Sequence, residues 1–167
     1  MNSPVLDLKS QLVARNLTLA TAESCTAGFI AASIARLPGA SEFLLGGSVT
    51  HCNAEKIRLG VDQDLIDKHT EVSADVAHAM AMAIIMRTGA NVGVATTGFF
   101  GKSSYESVDD GTVWVSVVIE DKLHEPNFKW RSRKFILPYE EMYRSQMQGF
   151  VADKAFGMVL ELLGEDV

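Results

Sequence analysis

Cysteine is scarce in this chain, and the two present, Cys25 and Cys52, form no C-x-x-C pair. That excludes a disulfide scaffold and a thioredoxin-type redox motif, and suits a cytoplasmic protein with reduced thiols. Long hydrophobic runs are missing: no stretch approaches the ~20 apolar residues of a transmembrane helix. Met1 to Leu12 carries Asp7 and Lys9 and lacks a signal-peptide apolar core. These features argue against a membrane partner. Positive charge is in deficit, with 15 Lys and Arg against 21 Asp and Glu, a net charge of −6. A nucleic-acid partner is not expected, because such proteins carry a basic patch. The four histidines, His51, His69, His78 and His124, lack metal-ligand spacing, so no metal is expected. No G-x-G-x-x-G, H-E-x-x-H, G-x-S-x-G or S-x-x-K occurs. Gly101-Lys102-Ser103 imitates the end of a P-loop. The glycine a P-loop needs five residues before Gly101 is Thr96, however, and no helical pattern follows Ser103.

What is present is a 167-residue chain, 47% hydrophobic, without repeats or low-complexity segments. That length and composition predict one domain over residues 1–167 with a sizeable core. Val5, Leu8 and Leu12 share one helical face, in a first helix ending near Asn16. Leu17 to Ala22 reads as a strand, and Phe29, Ile30 and Ile34 begin a helix that Pro38-Gly39-Ala40-Ser41 stops. Phe43 to His51 reads as a strand bent or bulged at Gly46-Gly47. Two short helices follow, Asn53 to Leu59 and Asp62 to Lys68. Ser73 then caps a longer helix through Val76, Met80, Ala83, Ile84 and Arg87, ending at Gly89. Asn91 to Thr97 is a small-residue apolar strand, and Gly98 to Asp110 is polar and irregular. Strands at Thr112 to Ile119 and Phe128 to Leu137 flank a loop with Asp121 and Pro126-Asn127. Pro138, Glu140 and Glu141 then open a last helix whose core face is Met142, Phe150, Val151, Val159, Leu162 and Leu163. The pattern predicts an α/β fold, a single layered α-β-α domain with a mixed sheet.

Two stretches carry candidate chemistry. In Ala22-Glu23-Ser24-Cys25-Thr26-Ala27-Gly28 a strand runs into a helix N-terminus, where unpaired N–H groups suit an oxyanion or a phosphate. Gly28 would let a ligand approach the backbone, and Ser24 and Cys25 are both potential nucleophiles. In Gly46 to Lys56 a strand end delivers His51 and Asn53, with Lys56 on the next helix. Taken alone, Lys56 reads as a solvated lysine and His51 as a surface histidine. A serine becomes a nucleophile only when a base takes its proton, and a desolvated lysine or a histidine can do that. Ser24 with Lys56 and His51 is therefore a possible hydrolytic group, although spacing alone does not bring the three together.

The same residues carry a family resemblance. Ala22 to Gly28, Pro38-Gly39-Ala40-Ser41, Gly47-Ser48-Val49-Thr50, Asn53, Lys56 and Gly60-Val61 together resemble the CinA C-terminal-domain family. Further matches are Glu71-Val72-Ser73, Thr97-Gly98 with Gly101, and Gly111-Thr112-Val113-Trp114. The resemblance spans nearly the whole chain. It implies a compact α/β domain that self-associates. It also implies a nicotinamide-nucleotide amidase converting nicotinamide mononucleotide and water to nicotinate mononucleotide and ammonia, with no cofactor. The family's catalytic serine matches Ser24 and its lysine matches Lys56, while its tyrosine falls on His51. Thr26, Gly28, Ser48, Asn53, Thr97, Gly98 and Arg144 are the implied contacts to a small-molecule substrate, with backbone N–H groups of Thr26 to Gly28 holding the oxyanion or phosphate. Three departures cluster at the implied pocket. His51 replaces the tyrosine. Phe99-Phe100-Gly101-Lys102 stands where the family has x-Ala-Gly-Pro, so that Phe100 could fill the pocket. Asp110 and Leu137-Pro138-Tyr139 replace the family's proline and its Gly-Asp-Arg segment. The alternative reading is a catalytically inactive or altered-substrate paralogue that acts as a small-ligand-binding or interaction module.

Overall fold

Small residues on one face of the central strands and branched residues on the other set how the layers pack. The structure is a computed structural model describing residues 3–120 and 128–165. Its elements run α1 (Pro4–Ala14), β1 (Leu19–Glu23), α2 (Phe29–Ala35), a 3-10 turn (Ala40–Glu42), β2 (Leu44–Val49), α3 (Asn53–Leu59) and α4 (Gln63–His69). They continue with α5 (Ala74–Thr88), β3 (Val92–Gly98), β4 (Thr112–Glu120), β5 (Phe128–Ile136) and α6 (Arg144–Gly164). The sheet order is β2-β1-β3-β4-β5. β1 is parallel to both β2 and β3, whereas β3–β4 and β4–β5 are antiparallel. The expected α/β layering with a mixed sheet is therefore what forms.

Alternation along the strands divides the core in two. Leu19, Val92, Val94, Val113, Val115 and Val117 cluster with Leu8 and Leu12 of α1, Ile30 and Ile34 of α2, and the apolar stripe of α6. On the opposite face Ala20, Ala22 and Ala95 meet Val76, Met80, Ala81 and Ile84 of α5. Those alanines, with Gly93, let α5 lie close against the sheet. A Cβ on Gly93 would stand 2.3 Å from the Ala81 carbonyl oxygen. Each fully buried Leu or Ile contributes about 2 kcal/mol, so the branched face carries much of the stability and the small-residue face sets the spacing.

Ser73 caps α5 as expected, accepting from Val76 N at 3.3 Å, and Asp62 proves to be the cap of α4, accepting from Asp64 N at 2.9 Å. The bulge in β2 falls at Leu45, because Leu19 pairs with Leu44 and Ala20 with Gly46. The last helix is a correction. It begins at Arg144, not at Pro138, and Pro138 to Met142 form a turn. At its start the Gln146 side chain caps the backbone, Oε1 accepting from the Tyr143 N–H at 2.8 Å while the Gln146 N–H donates to the Tyr143 carbonyl at 2.9 Å. Phe150 is 38% exposed and stacks edge-on against Phe135, so it lies outside the core face. Asp121, Pro126-Asn127 and His124 lie outside the described residues. Among the described residues no helix is long and apolar enough to cross a membrane.

Candidate functional site

The period of two in β1 sends neighbouring side chains to opposite layers at the strand's C-terminal end. Glu23 turns toward α2, and Ser24 toward α3. The Glu23 carboxylate is fully buried and accepts from the N–H groups of Gly28 (3.0 Å), Ile30 (3.1 Å) and Ala31 (2.9 Å). The protein's own anion therefore occupies the N-terminus of α2. This corrects the expectation that Gly28 presents its backbone to a ligand. Gly28 sits at φ +90°, a left-handed conformation that glycine adopts without strain, and its N–H is spent on Glu23. Hydrogen bonds of the turn also use the N–H groups of Ser24, Ala27 and Phe29.

Ser24 is 6% exposed, so its hydroxyl is not a surface-turn group. Lys56 is 1% exposed, contrary to its reading as a solvated lysine. On α3 the buried residues are Lys56 and Leu59, three apart on one face. The Lys56 Nζ lies 3.3 Å from Ser24 Oγ and donates to the Thr50 carbonyl at 3.1 Å. Burial pushes the lysine pKa below its ordinary value, and the negative charge of Glu71 partly opposes that. The outcome is an amine with an accessible neutral form held against a serine hydroxyl. Cys25, the other candidate nucleophile, is buried, and desolvation lifts its thiol pKa to about 12 against the opposing effect of Thr96. A thiol of that kind is not a thiolate at neutral pH, so the choice between the two nucleophiles falls on Ser24.

A cleft of about 220 Å³ opens at the turn next to Ser24, lined there by Cys25 and His51, while Ser24 and Lys56 lie beneath its wall and do not line it. Cys25, His51 and Gly98 form one side of it, and Phe99, Phe100, Lys102 and Arg144 the other. His51 is exposed, and its Nδ1 lies 3.2 Å from the Ser24 carbonyl oxygen, so it touches the turn rather than the hydroxyl. Phe100 does not plug the cleft. It joins the core at 9% exposure, and the Arg144 guanidinium carbon stands 5.7 Å above its ring. Gly98 has a packing reason as well, because a Cβ there would meet the Thr112 carbonyl oxygen at 2.6 Å.

The other expected contacts are engaged elsewhere. Thr26 shares a 2.7 Å hydroxyl–hydroxyl bond with Thr96 in the core, while its carbonyl accepts from Gln148 Nε2 at 3.1 Å. Thr97 donates to the Glu71 carbonyl at 2.6 Å. Ser48 pairs with Ala22 in the sheet, and Asn53 is exposed at the first position of α3. Sequence reasoning missed Glu23 and Glu71 as individual residues, seeing them only inside matched blocks. It also missed Tyr105, whose hydroxyl donates to the Glu71 carboxylate and ties the loop to the segment before α5. An acid as the last residue of a strand, just ahead of a helix-starting glycine, was the available signal for Glu23.

A layered α/β domain with a lysine amine buried against a serine, at the end of an internal parallel strand, is the class of protein these features define. Within that class the chain belongs to the CinA family, whose C-terminal domain model matches residues 2–162. A competence-damage inducible protein of Lysinibacillus sphaericus (strain C3-41) is 39% identical over 112 residues, covering 66% of this chain and 27% of that protein. One from Clostridium botulinum (strain Loch Maree / Type A3) is 41% identical over 132 residues, covering 76% of this chain and 32% of that protein. The chain thus spans about a third or less of the length of these curated relatives. The crystal structure of a CinA superfamily protein from Escherichia coli superposes with a TM-score of 0.84 at 27% identity, over 95% of this chain and 88% of that one.

Proposed function

We propose that this domain is an amidohydrolase of the nicotinamide-nucleotide amidase type, with Ser24 as nucleophile and Lys56 as its base. The observation that carries the reading is the burial of the Lys56 amine 3.3 Å from Ser24 Oγ. Burying a lysine is costly, and a lowered pKa is what a lysine base needs at neutral pH. In the acylation step the neutral amine takes the Ser24 proton, and Oγ bonds to the carboxamide carbon. In this reading the Cys25 N–H, on the cleft wall, would receive the oxyanion. The C–N bond then breaks, and Lys56 returns the proton to the departing ammonia. A water molecule, deprotonated by the same amine, attacks the ester carbon and frees the carboxylate product and Ser24. His51 braces the turn through the Ser24 carbonyl and stands on the cleft wall where the family's tyrosine falls.

Ammonia release from nicotinamide mononucleotide by the purified protein tests the reading, with Lys56→Met as the control. Turnover that the control loses supports it. A folded protein without turnover overturns it for this substrate and favours the small-ligand-binding alternative, which the low exposure of Ser24 would then explain.

A further inference from the structure

The buried Lys56 amine has protein acceptors for two protons, not for three. Its Nζ stands 3.3 Å from Ser24 Oγ and 3.1 Å from the Thr50 carbonyl oxygen. An ammonium has three N–H groups to place, whereas a neutral amine has two and a lone pair. Among the described residues Lys56 stands in no ion pair, although a lysine buried to 1% exposure is ordinarily paired. The charged and titratable groups that act on it are Glu71, from the segment between α4 and α5, and the thiols of Cys25 and Cys52. The Cys25 thiol, pushed up to about 12, stays neutral. Among the described residues Glu71 is thus the carboxylate whose charge favours the ammonium.

That carboxylate is held by another group. The Tyr105 hydroxyl donates to Glu71 Oε2, and both residues are fixed from behind. Glu71 follows Thr70, whose φ of 65° and ψ of 161° a β-branched residue adopts only under constraint. Ser73 Oγ donates to the Thr70 carbonyl at 3.1 Å, and Thr97 Oγ1 donates to the Glu71 carbonyl at 2.6 Å. On the loop between β3 and β4, Ser103 Oγ accepts from the Tyr105 N–H and donates to the Tyr105 carbonyl, each at 3.0 Å. The Tyr105 ring lies 6.3 Å from the ring of Phe99, which lines the cleft. Backbone strain of the Thr70 kind collects at functional sites. Here it sits next to the carboxylate that acts on the buried lysine.

We propose that Tyr105 is a positioning residue for the lysine base. Its hydroxyl occupies the Glu71 carboxylate and keeps it from pairing with Lys56, so that the buried amine holds a neutral form able to take the Ser24 proton. This role rests on Lys56 being the base of the amidase reading. A carboxylate that accepts from a phenol has less charge to offer an ammonium, and a pinned one does not turn toward it. Removing the phenol hydroxyl therefore favours the protonated lysine, whereas removing the carboxylate charge favours the neutral one. The two residues touch each other, yet losing one has the opposite effect to losing the other. A contact that only anchored the loop would give both losses the same sign.

The test follows the Lys56 Cε carbon-13 resonance through a pH titration of lysine-labelled protein, assigned as the signal that Lys56→Met lacks. Tyr105→Phe keeps the ring and is expected to raise the midpoint by about half a pH unit, which leaves about threefold less neutral amine per ammonium. Glu71→Gln is expected to lower the midpoint, and Tyr105→Phe added to Glu71→Gln to change nothing further. A midpoint that Tyr105→Phe leaves in place overturns the proposal. So does a rise of the same size in the Glu71→Gln background, which would mean that Tyr105 only keeps water from the amine. The resonance is read without turnover, so the two readings fail separately. A wild type that releases no ammonia overturns the amidase, and the titration still decides the role of Tyr105. In an active protein the alkaline-going limb of kcat/KM follows the midpoint, up in Tyr105→Phe and down in Glu71→Gln. A limb that moves the same way in both variants overturns the proposal.

Discussion

The two sides of the cleft are built on opposite plans. On the side of β1 and α3, Ser24, Lys56 and Glu23 are buried, and each polar atom is matched by a partner a few ångströms away. On the side of the β3–β4 loop and α6, Lys102 and Arg144 are exposed and Arg144 leans on an aromatic ring. The difference has a physical cause. A buried amine depends on every neighbour for its desolvation, so replacing one of those neighbours changes the packing and the amine's reactivity together. A solvated cation depends on little but the ligand, so the loop can change charge without disturbing the core.

The comparison can be broken or sharpened by mutation. The largest effect belongs to Ser24→Ala, which is expected to lower kcat for amide hydrolysis by at least about 10⁴-fold. Steady-state ammonia release reads this, and retained turnover would remove Ser24 from the mechanism. Glu23→Ala is expected to destabilise the fold by about 3 kcal/mol, because three N–H groups lose their shared acceptor in a buried site. Urea unfolding gives that figure, and a loss below about 1 kcal/mol would show that water replaces the carboxylate.

Lys56→Met tests the cost of the buried amine. Activity is lost, yet stability at pH 7 is expected to rise by about 1 kcal/mol, roughly 2–4 °C in Tm. Burial depresses the folded-state pKa, so the unfolded chain binds the proton more tightly and the wild type gains stability as pH rises. The advantage of the Met variant is therefore full at low pH. It fades between the lowered folded pKa and the unfolded value of about 10.4. Thermal melts across that range check this, and a gap independent of pH would contradict it. Glu71→Gln is the mildest change. Removing the carboxylate withdraws the charge that favours protonated Lys56, so the alkaline-going limb of the rate profile moves to lower pH. A limb that stays in place would show that Glu71 acts only by anchoring Tyr105.

How much was legible beforehand differs between the same two regions. The strand–turn–helix at Ala22 to Gly28 and the cap at Ser73 followed from local chemistry, and both form. The start of α6 was misplaced because Pro138 followed by two glutamates is a good helix opening in isolation. The helix instead starts six residues later, at Arg144, where the Gln146 side chain accepts from the Tyr143 N–H. Phe100 looked like a plug because its size was known and its direction was not; packing turns it into the core.

Period, capping residues and composition determined by themselves that this chain makes an α/β layered domain, since each depends on residues within a turn or two. They also marked Ser24 and Cys25 as candidate nucleophiles. Only the tertiary structure decided which residues share a dehydrated pocket. Lys56 is separated from Ser24 by 32 positions, and its amine reaches the hydroxyl because β2 lies parallel beside β1 and returns α3 over the strand end. Desolvation of that amine, and of the Cys25 thiol, arises from the packed layers around them, and no pattern along the chain encodes it without the fold.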